Sequence, residues 1–281
     1  MHVYVLGGSK NIGYFAGLRL LKQGATITYL LRSPNTFDND AEMQPYIQQG
    51  KAQLVRGDGL NLEDVRNGWQ KALEAGNGKV DVVLFTIGGT LAFTLKGGLA
   101  LNHPNLCTQS LLNVLSSIPS SLRAPDSQPH FVVVTSMGCT AASHKAVPLS
   151  LKLFYNILLP APHADKLGAE RVLAHVAGLS WQAEDKVKAE ILPEGWEGTP
   201  GLPGPGELKH VVVIWPSLLT DGVCKADEER KPGEHAPYRA LKDGHSGDAY
   251  RISRKDTAHF IVHGALANWD NWEGSRVTLA Y

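Results

Sequence analysis

Short apolar runs rich in β-branched residues recur along this chain, and between them lie segments with helical spacing. His2–Leu6, Thr26–Leu31, Gln53–Val55, Val82–Thr86 and Phe131–Thr135 read as buried strands bounded by Gly, Asp or Ser. Val211–Trp215 resumes the pattern and Arg276–Ala280 supplies a last strand. Between the first two strands, Ile12, Phe15, Ala16 and Leu20 share one helical face, and Gly24 is placed to end that helix. Asn61 can cap a helix carrying Val65, Trp69 and Leu73; Pro104 can open another through Leu115, which Pro119 closes. Alternation of this kind dictates a parallel sheet with helices on both faces. A length of 281 residues suits one large α/β domain, here residues 1–281, or a domain with a small appendage.

Two stretches break the rhythm. Trp181–Lys209, within residues 181–209, holds "LPEGWEGTPGLPGPGELK", a Pro/Gly-rich insertion that reads either as a lid or as a solvated surface excursion. Residues 221–275 form a smaller region expected on the substrate side. It is polar and turn-rich through Gly247, and then "YRISRKDTAHFIVHGAL" sets Ser253 and Asp256 at capping-box spacing before a helix.

Lys+Arg and Asp+Glu both count 27, so clustered positive charge for nucleic acid or an anionic membrane is not expected. No apolar run reaches bilayer-spanning length, and no charged segment followed by an apolar stretch opens the chain. Cys107, Cys139 and Cys224 are odd in number and widely spaced, which implies reduced thiols and a cytoplasmic protein, with no metal site of the paired-cysteine kind.

"LGGSKNIGYF", residues 6–15, follows the first strand. Gly8 and Gly13 have P-loop spacing, but Tyr14-Phe15 stand where a P-loop needs Lys and Ser/Thr. A dinucleotide turn is the better reading: Gly7 for the tight turn, Asn11 tolerant of the left-handed region, and Gly13 for close packing. Gly8, Ser9 and Ile12 complete the loop, whose amides at a helix start suit a pyrophosphate. At the end of the second strand, "LLRSP" sets Arg32 and Ser33 where an NAD-binding protein carries an acid, and an arginine suits a 2′-phosphate. Lys10 can add a second charge, so the cofactor expected is NADP(H); the plainer reading of both cations is a solvated surface. Asp58 and Gly59 in "GDG" and Ile87, Gly88 and Gly89 in "TIGGT" mark two further strand ends against the cofactor. Trp215, Pro216 and Leu219 are candidates for the nicotinamide side, with sheet-end packing as the alternative for Trp215.

With these segments in place, the chain resembles the atypical branch of the short-chain dehydrogenase/reductase superfamily, and most of all its fungal NmrA-like and isoflavone-reductase-like members. The segments are "VLGGSKNIGYFAGLRLL", "LLRSP", "VRGDGLN", "VVVTSMG", "PHADKLGAERVL", "VVVIWPSLLTDG" and "ISRKDTAHFIV", spread over nearly the whole chain. The resemblance implies a Rossmann-type doubly wound parallel sheet with a small C-terminal region covering the substrate. It further implies a Ser after the fifth strand and a Tyr-x-x-x-Lys on the next helix. Ser136 and Lys166 match the serine and the lysine, but the tyrosine position is Pro162. His163, one helical turn before Lys166, can serve as a proton shuttle, or else merely packs at the helix start. Tyr155 is another candidate, whereas Tyr14 is expected to pack against the loop. His259 and His263 flank "FIV" in an apolar helix and read as core-edge residues, not ligands.

The function that follows is an NADPH-dependent oxidoreductase acting on a small or medium organic carbonyl or enone. Two alternatives stand beside it: a non-catalytic NADP(H)-binding regulator with a protein partner, and a redox-neutral isomerase or cyclase.

Overall fold

The structure, a computed structural model, describes residues 1–89, 91–93, 99–101, 103–148, 152, 159–229, 237–244 and 248–281. Its strands are β1 (His2–Leu6), β2 (Thr26–Leu31), β3 (Ala52–Arg56), β4 (Val82–Phe85), β5 (Leu91–Phe93) and β6 (Leu99–Leu101). They continue as β7 (His130–Val134), β8 (Val211–Pro216), β9 (Leu218–Thr220), β10 (Arg239–Lys242), β11 (Arg251–Ser253) and β12 (Ser275–Ala280). Eight of them form one sheet in the order β10-β12-β8-β7-β4-β1-β2-β3. All neighbours are parallel except β10, which runs antiparallel along β12 at the edge. The chain winds outward from β1 to β3, then returns to the other side of β1 as β4. That reversal opens a crevice at the carboxyl ends of β1 and β4, where a doubly wound sheet binds its ligands.

The described helices are α1 (Asn11–Lys22), α2 (Gln44–Gln48), α3 (Leu62–Ala75), α4 (Leu106–Ser116), α5 (Ala141–Lys145), α6 (Pro160–Ala177) and α7 (Arg254–His259), followed by a π-turn and a short last helix (Trp269–Trp272). Alternate strand residues feed two cores, as the pleat requires. Tyr4, Leu6, Phe85 and Val133 pack with Trp69 of α3, Leu111 of α4 and Val172 of α6. On the opposite face Val3, Val5, Leu84 and Val132 pack with Ile12, Ala16 and Leu20 of α1 and with Ala258 and Phe260.

Local signals hold where they rest on a specific hydrogen bond or dihedral. The Asn61 side chain caps α3 by accepting from the backbone N–H groups of Glu63 (2.9 Å) and Asp64 (3.4 Å). Gly24 follows α1 at φ +87°. The helix expected from Pro104 begins at Leu106 instead.

Residues 181–209 do not behave as a solvated excursion throughout. Leu192, Trp196 and Leu208 are buried in the core beside α6, and the Arg171 guanidinium lies over the Trp181 and Trp196 rings at 5.5 and 5.8 Å. The segment buttresses the outer side of α6. β9 and β11 form a separate two-stranded parallel ladder, Leu218↔Arg251 to Thr220↔Ser253, within the C-terminal region.

Candidate active site

The carboxyl ends of β1, β2, β3, β4 and β7, with the segment after β8, open onto one cleft of about 780 Å³. At its centre the turn after β1 is built by contact. Gly7 sits at φ +84°, and a Cβ there would come within 2.6 Å of the Ile87 amide. The Thr86 hydroxyl donates to the carbonyls of Gly7 (3.0 Å) and Leu6 (3.2 Å), fastening the turn to the end of β4. Gly13 lets α1 close on this junction: a Cβ would collide with Thr86 Oγ1 and lie 2.7 Å from the Gly7 carbonyl. Asn11 takes up φ 57°, in the left-handed region.

Gly7, Ser9, Lys10, Asn11 and Ile12 line the cleft, whereas Gly8 and Gly13 do not. Gly8 instead admits the Tyr29 ring, which would stand 2.6 Å from a Cβ. At the head of α1, Lys10 makes no side-chain cap and the first turn carries no acid. The N–H groups there and the helix dipole therefore face the cleft without a competing carboxylate from this helix.

Arg32 and Ser33, just past β2, are exposed and line the cleft, as does the exposed Lys10, and Asp58 and Gly59 line the wall after β3. Asp58 Oδ1 accepts from the Leu60 amide at 3.0 Å, and Asn113 donates to the Gly59 carbonyl at 2.9 Å. Ile87, Gly88 and Gly89 line the floor after β4.

Beyond β7 the cleft reaches Ser136, Pro162, His163 and Lys166. Ser136 Oγ stands 3.4 Å from His163 Nε2 and 3.1 Å from the Met137 carbonyl. Lys166 Nζ donates to the Thr135 carbonyl, so its ammonium is held at the carboxyl end of β7. Burial, reinforced by the positive charge of Lys166 and by His144, pushes the His163 imidazole down to about 3, so it is neutral at physiological pH. Asp165 fixes the helix that presents these groups. It is 1 % exposed, and its carboxylate accepts from the Cys107 and Thr108 amides at 2.8 and 2.9 Å, capping α4 with a side chain from α6.

Trp215 and Pro216 do not line the cleft. Trp215 is buried with Nε1 donating to Glu170 Oε1 at 2.6 Å, and Pro216 is engaged in the β8–β12 ladder. Glu170, wholly buried, also accepts from the Thr135 hydroxyl (2.6 Å) and from Arg276 Nε (2.9 Å). The wall past β8 is made by Ser217, Leu218 and Leu219, with Arg254 from α7 beside them. Tyr14 packs between the Phe15 and Phe37 rings, away from the chemistry. Tyr155 lies outside the described residues. His259 and His263 stack on each other at 4.6 Å, and His259 Nδ1 is 2.8 Å from the Tyr238 hydroxyl. Among the described residues no group of His, Cys, Asp and Glu could hold a metal ion, no helix is long and apolar enough to cross a membrane, and the three cysteines are buried and free. Sequence reasoning missed Asp165 and Arg254: the first acts across two helices far apart in sequence, and the second reads as a surface cation.

No protein-family model matches the chain. A curated relative, the reductase pytE of Aspergillus terreus, is 22% identical over 267 residues, covering 93% of this chain and 90% of its own. The anaerobillin reductase ChuY of Escherichia coli has a similar structure at TM-score 0.54 and 16% identity, covering 100% of this chain and 97% of its own. The alcohol dehydrogenase of Thermococcus sibiricus, solved with 5-hydroxy-NADP, is similar at TM-score 0.58 and 16% identity, covering 99% of this chain and 95% of its own. The chain thus carries the Rossmann-type fold of the short-chain dehydrogenase/reductase-like proteins and is distantly similar to reductases among them.

Proposed function

We propose that the protein is an NADPH-dependent oxidoreductase of the atypical short-chain type, acting on a small or medium organic carbonyl or enone. The residues present fit the cofactor. The Gly7 turn leaves no room for a Cβ, the first turn of α1 carries no acid, and Lys10, Arg32 and Ser33 line the same cleft. A volume of about 780 Å³ lies within the roughly 300–1,000 Å³ of small-molecule and cofactor sites. Ser9, Lys10, Asn11 and Ile12 would hold the pyrophosphate. Arg32, Ser33 and Lys10 would hold the 2′-phosphate, Asp58 and Gly59 the adenine, Ile87 to Gly89 the nicotinamide half, and Lys166 the ribose. Bound NADPH supplies a hydride.

The observation that carries the catalytic reading is the Ser136–His163 pair inside the cleft. The one hydroxyl proton of Ser136 can point to Met137, to His163 or to a substrate oxygen, one at a time. Ser136 would give its hydroxyl proton to the substrate oxygen, a neutral His163 protonated on Nε2 would replace that proton on Oγ, and solvent water would protonate Nδ1. Leu159, Leu218 and Leu219 supply the apolar wall that keeps water from the reacting atoms. Similarity to named reductases supports this reading. The test is NADPH oxidation over a panel of aldehydes, ketones and enones. Stoichiometric cofactor binding with no turnover on any member would overturn it.

One observation favours a second reading. Pro162, which has no donor, lines the cleft one turn before Lys166, where the family's tyrosine is expected. A non-catalytic NADP(H)-binding regulator would show that absence of turnover together with a recoverable protein partner.

A further inference from the structure

Arg254 is the one cationic side chain that the C-terminal region contributes to the described cleft wall, and nothing in the catalytic reading uses it. Its position along α1 follows from the way α7 packs on that helix. Lys255 Nζ stands 5.5 Å from the Phe15 ring centroid. One turn further along α1, Arg19 donates to Cys224 Sγ at 3.2 Å, and Cys224 in turn contacts Asp256 Oδ1 at 3.3 Å. α1 and α7 therefore pack against each other, joined by Lys255 over Phe15 and by Cys224 between Arg19 and Asp256. Arg254, the residue before Lys255, lines the same cleft as Asn11 and Ile12 at the head of α1.

The backbone that carries Arg254 is fixed. Ser253 is fully buried; its hydroxyl accepts from the Asp256 amide (2.9 Å) and donates to Asp256 Oδ2 (2.8 Å), and its own amide donates to the Tyr281 hydroxyl (3.1 Å). The guanidinium, by contrast, is loosely held. Its carboxylate partner is Asp221 at 2.6 Å, one rung past the Thr220↔Ser253 pair of the β9–β11 ladder. The Asp221 side chain is 85% exposed and that of Arg254 24%, so water competes for the carboxylate end of the pair. No carboxylate from the first turn of α1 competes for it.

We infer that Arg254 is a pyrophosphate clamp: it exchanges the solvated Asp221 carboxylate for the phosphates of the dinucleotide at the head of α1. This rests on the NADP(H) reading above. A guanidinium fork suits phosphate oxygens, and Arg254 lines the same cleft as Gly7, Asn11 and Ile12. The C-terminal region would thereby be coupled to cofactor binding through Arg254.

The test titrates the full chain with NADPH and separately with 2′-AMP, which carries the 2′-phosphate but no pyrophosphate. Arg254→Gln should weaken NADPH roughly tenfold or more, the loss of one charged hydrogen-bonding partner, and leave 2′-AMP unchanged. Arg254→Lys should retain part of the affinity as a point charge, and Asp221→Asn should bind NADPH at least as tightly as the parent. Unchanged NADPH affinity in Arg254→Gln, with a parent that binds both ligands, overturns the clamp alone and leaves Arg254 to a substrate anion. An equal loss for 2′-AMP overturns it too, because the effect would then not be local to the pyrophosphate. A parent that binds neither ligand overturns the cofactor reading and the clamp together. Unfolding midpoints of the variants identify any that fail to fold, and Asp221→Asn keeps the proposal testable if Arg254→Gln is among them.

Discussion

Ser136 Oγ lies 3.4 Å from His163 Nε2, so the strand end of β7 and the first turn of α6 meet over one proton position. The two residues come from different elements; Lys166 ties α6 to the end of β7 through the Thr135 carbonyl, and Asp165 ties α6 to α4. Ser136→Ala should lower kcat by about 10²–10⁴-fold, the usual contribution of a positioned proton donor, with little change in NADPH affinity. His163→Ala should fall in the same range, and the double variant should be no worse than either single one, as for groups acting as a unit. Additive losses in steady-state kinetics would separate the two roles.

The depressed imidazole of His163 also sets a pH dependence. Its ordinary value is 6.5 and the folded value is about 3, so between those pH values the unfolded chain binds a proton that the folded chain does not. The stabilisation is therefore complete above 6.5 and is lost as pH falls through that window towards 3. Denaturation midpoints measured from pH 7 to pH 4 should fall less steeply in His163→Gln than in the parent. An identical slope would contradict the buried, neutral imidazole.

Glu170 predicts the largest stability loss. Its carboxylate joins Thr135, Trp215 and Arg276 in the interior, and removing it leaves the Arg276 guanidinium unpaired where it is only 11% exposed. Glu170→Ala should cost about 3–5 kcal/mol in urea unfolding, as for one broken half of a buried pair. Glu170→Gln, which keeps acceptor capacity, should cost less. A loss within the range of ordinary surface substitutions would show that the network is not load-sharing.

Gly13→Ala tests the turn itself. The added Cβ would meet Thr86 Oγ1 and the Gly7 carbonyl, both held at the strand end, so neither can give way cheaply. The variant should lose NADPH affinity and unfold at a lower temperature. Wild-type values of both would mean that α1 is free to shift away from β4.

The glycine turn was legible because its needs are local. A tight bend, a left-handed Asn11 and a close helix–strand approach each demand a residue type at a fixed position, and the sheet follows from β-branched runs in alternation with helical faces. The sequence leaves Trp215 open between the nicotinamide side and sheet-end packing, because a strand end can send its side chain to either side. What draws it inward is Glu170, 45 residues earlier on a different element. Asp165 was invisible for a similar reason: an acid inside a helix gives no sign that it caps the start of another. β10 was missed since an edge strand needs no apolar run, and Arg239–Lys242 sits in a polar, turn-rich stretch. Prolines and glycines in residues 181–209 spoke for an excursion, whereas Leu192 and Trp196 anchor it in the core.

The central claim, a cleft built for NADP(H), is tested most directly by calorimetric titration of NADPH and NADH into the parent and into the Lys10→Ala, Arg32→Ala double variant. Two charge-assisted contacts to a 2′-phosphate are at stake, so NADPH should weaken by roughly a hundredfold. NADH, which has no 2′-phosphate, should change by less than about threefold on the same reasoning. Equal losses for the two cofactors would contradict the assignment.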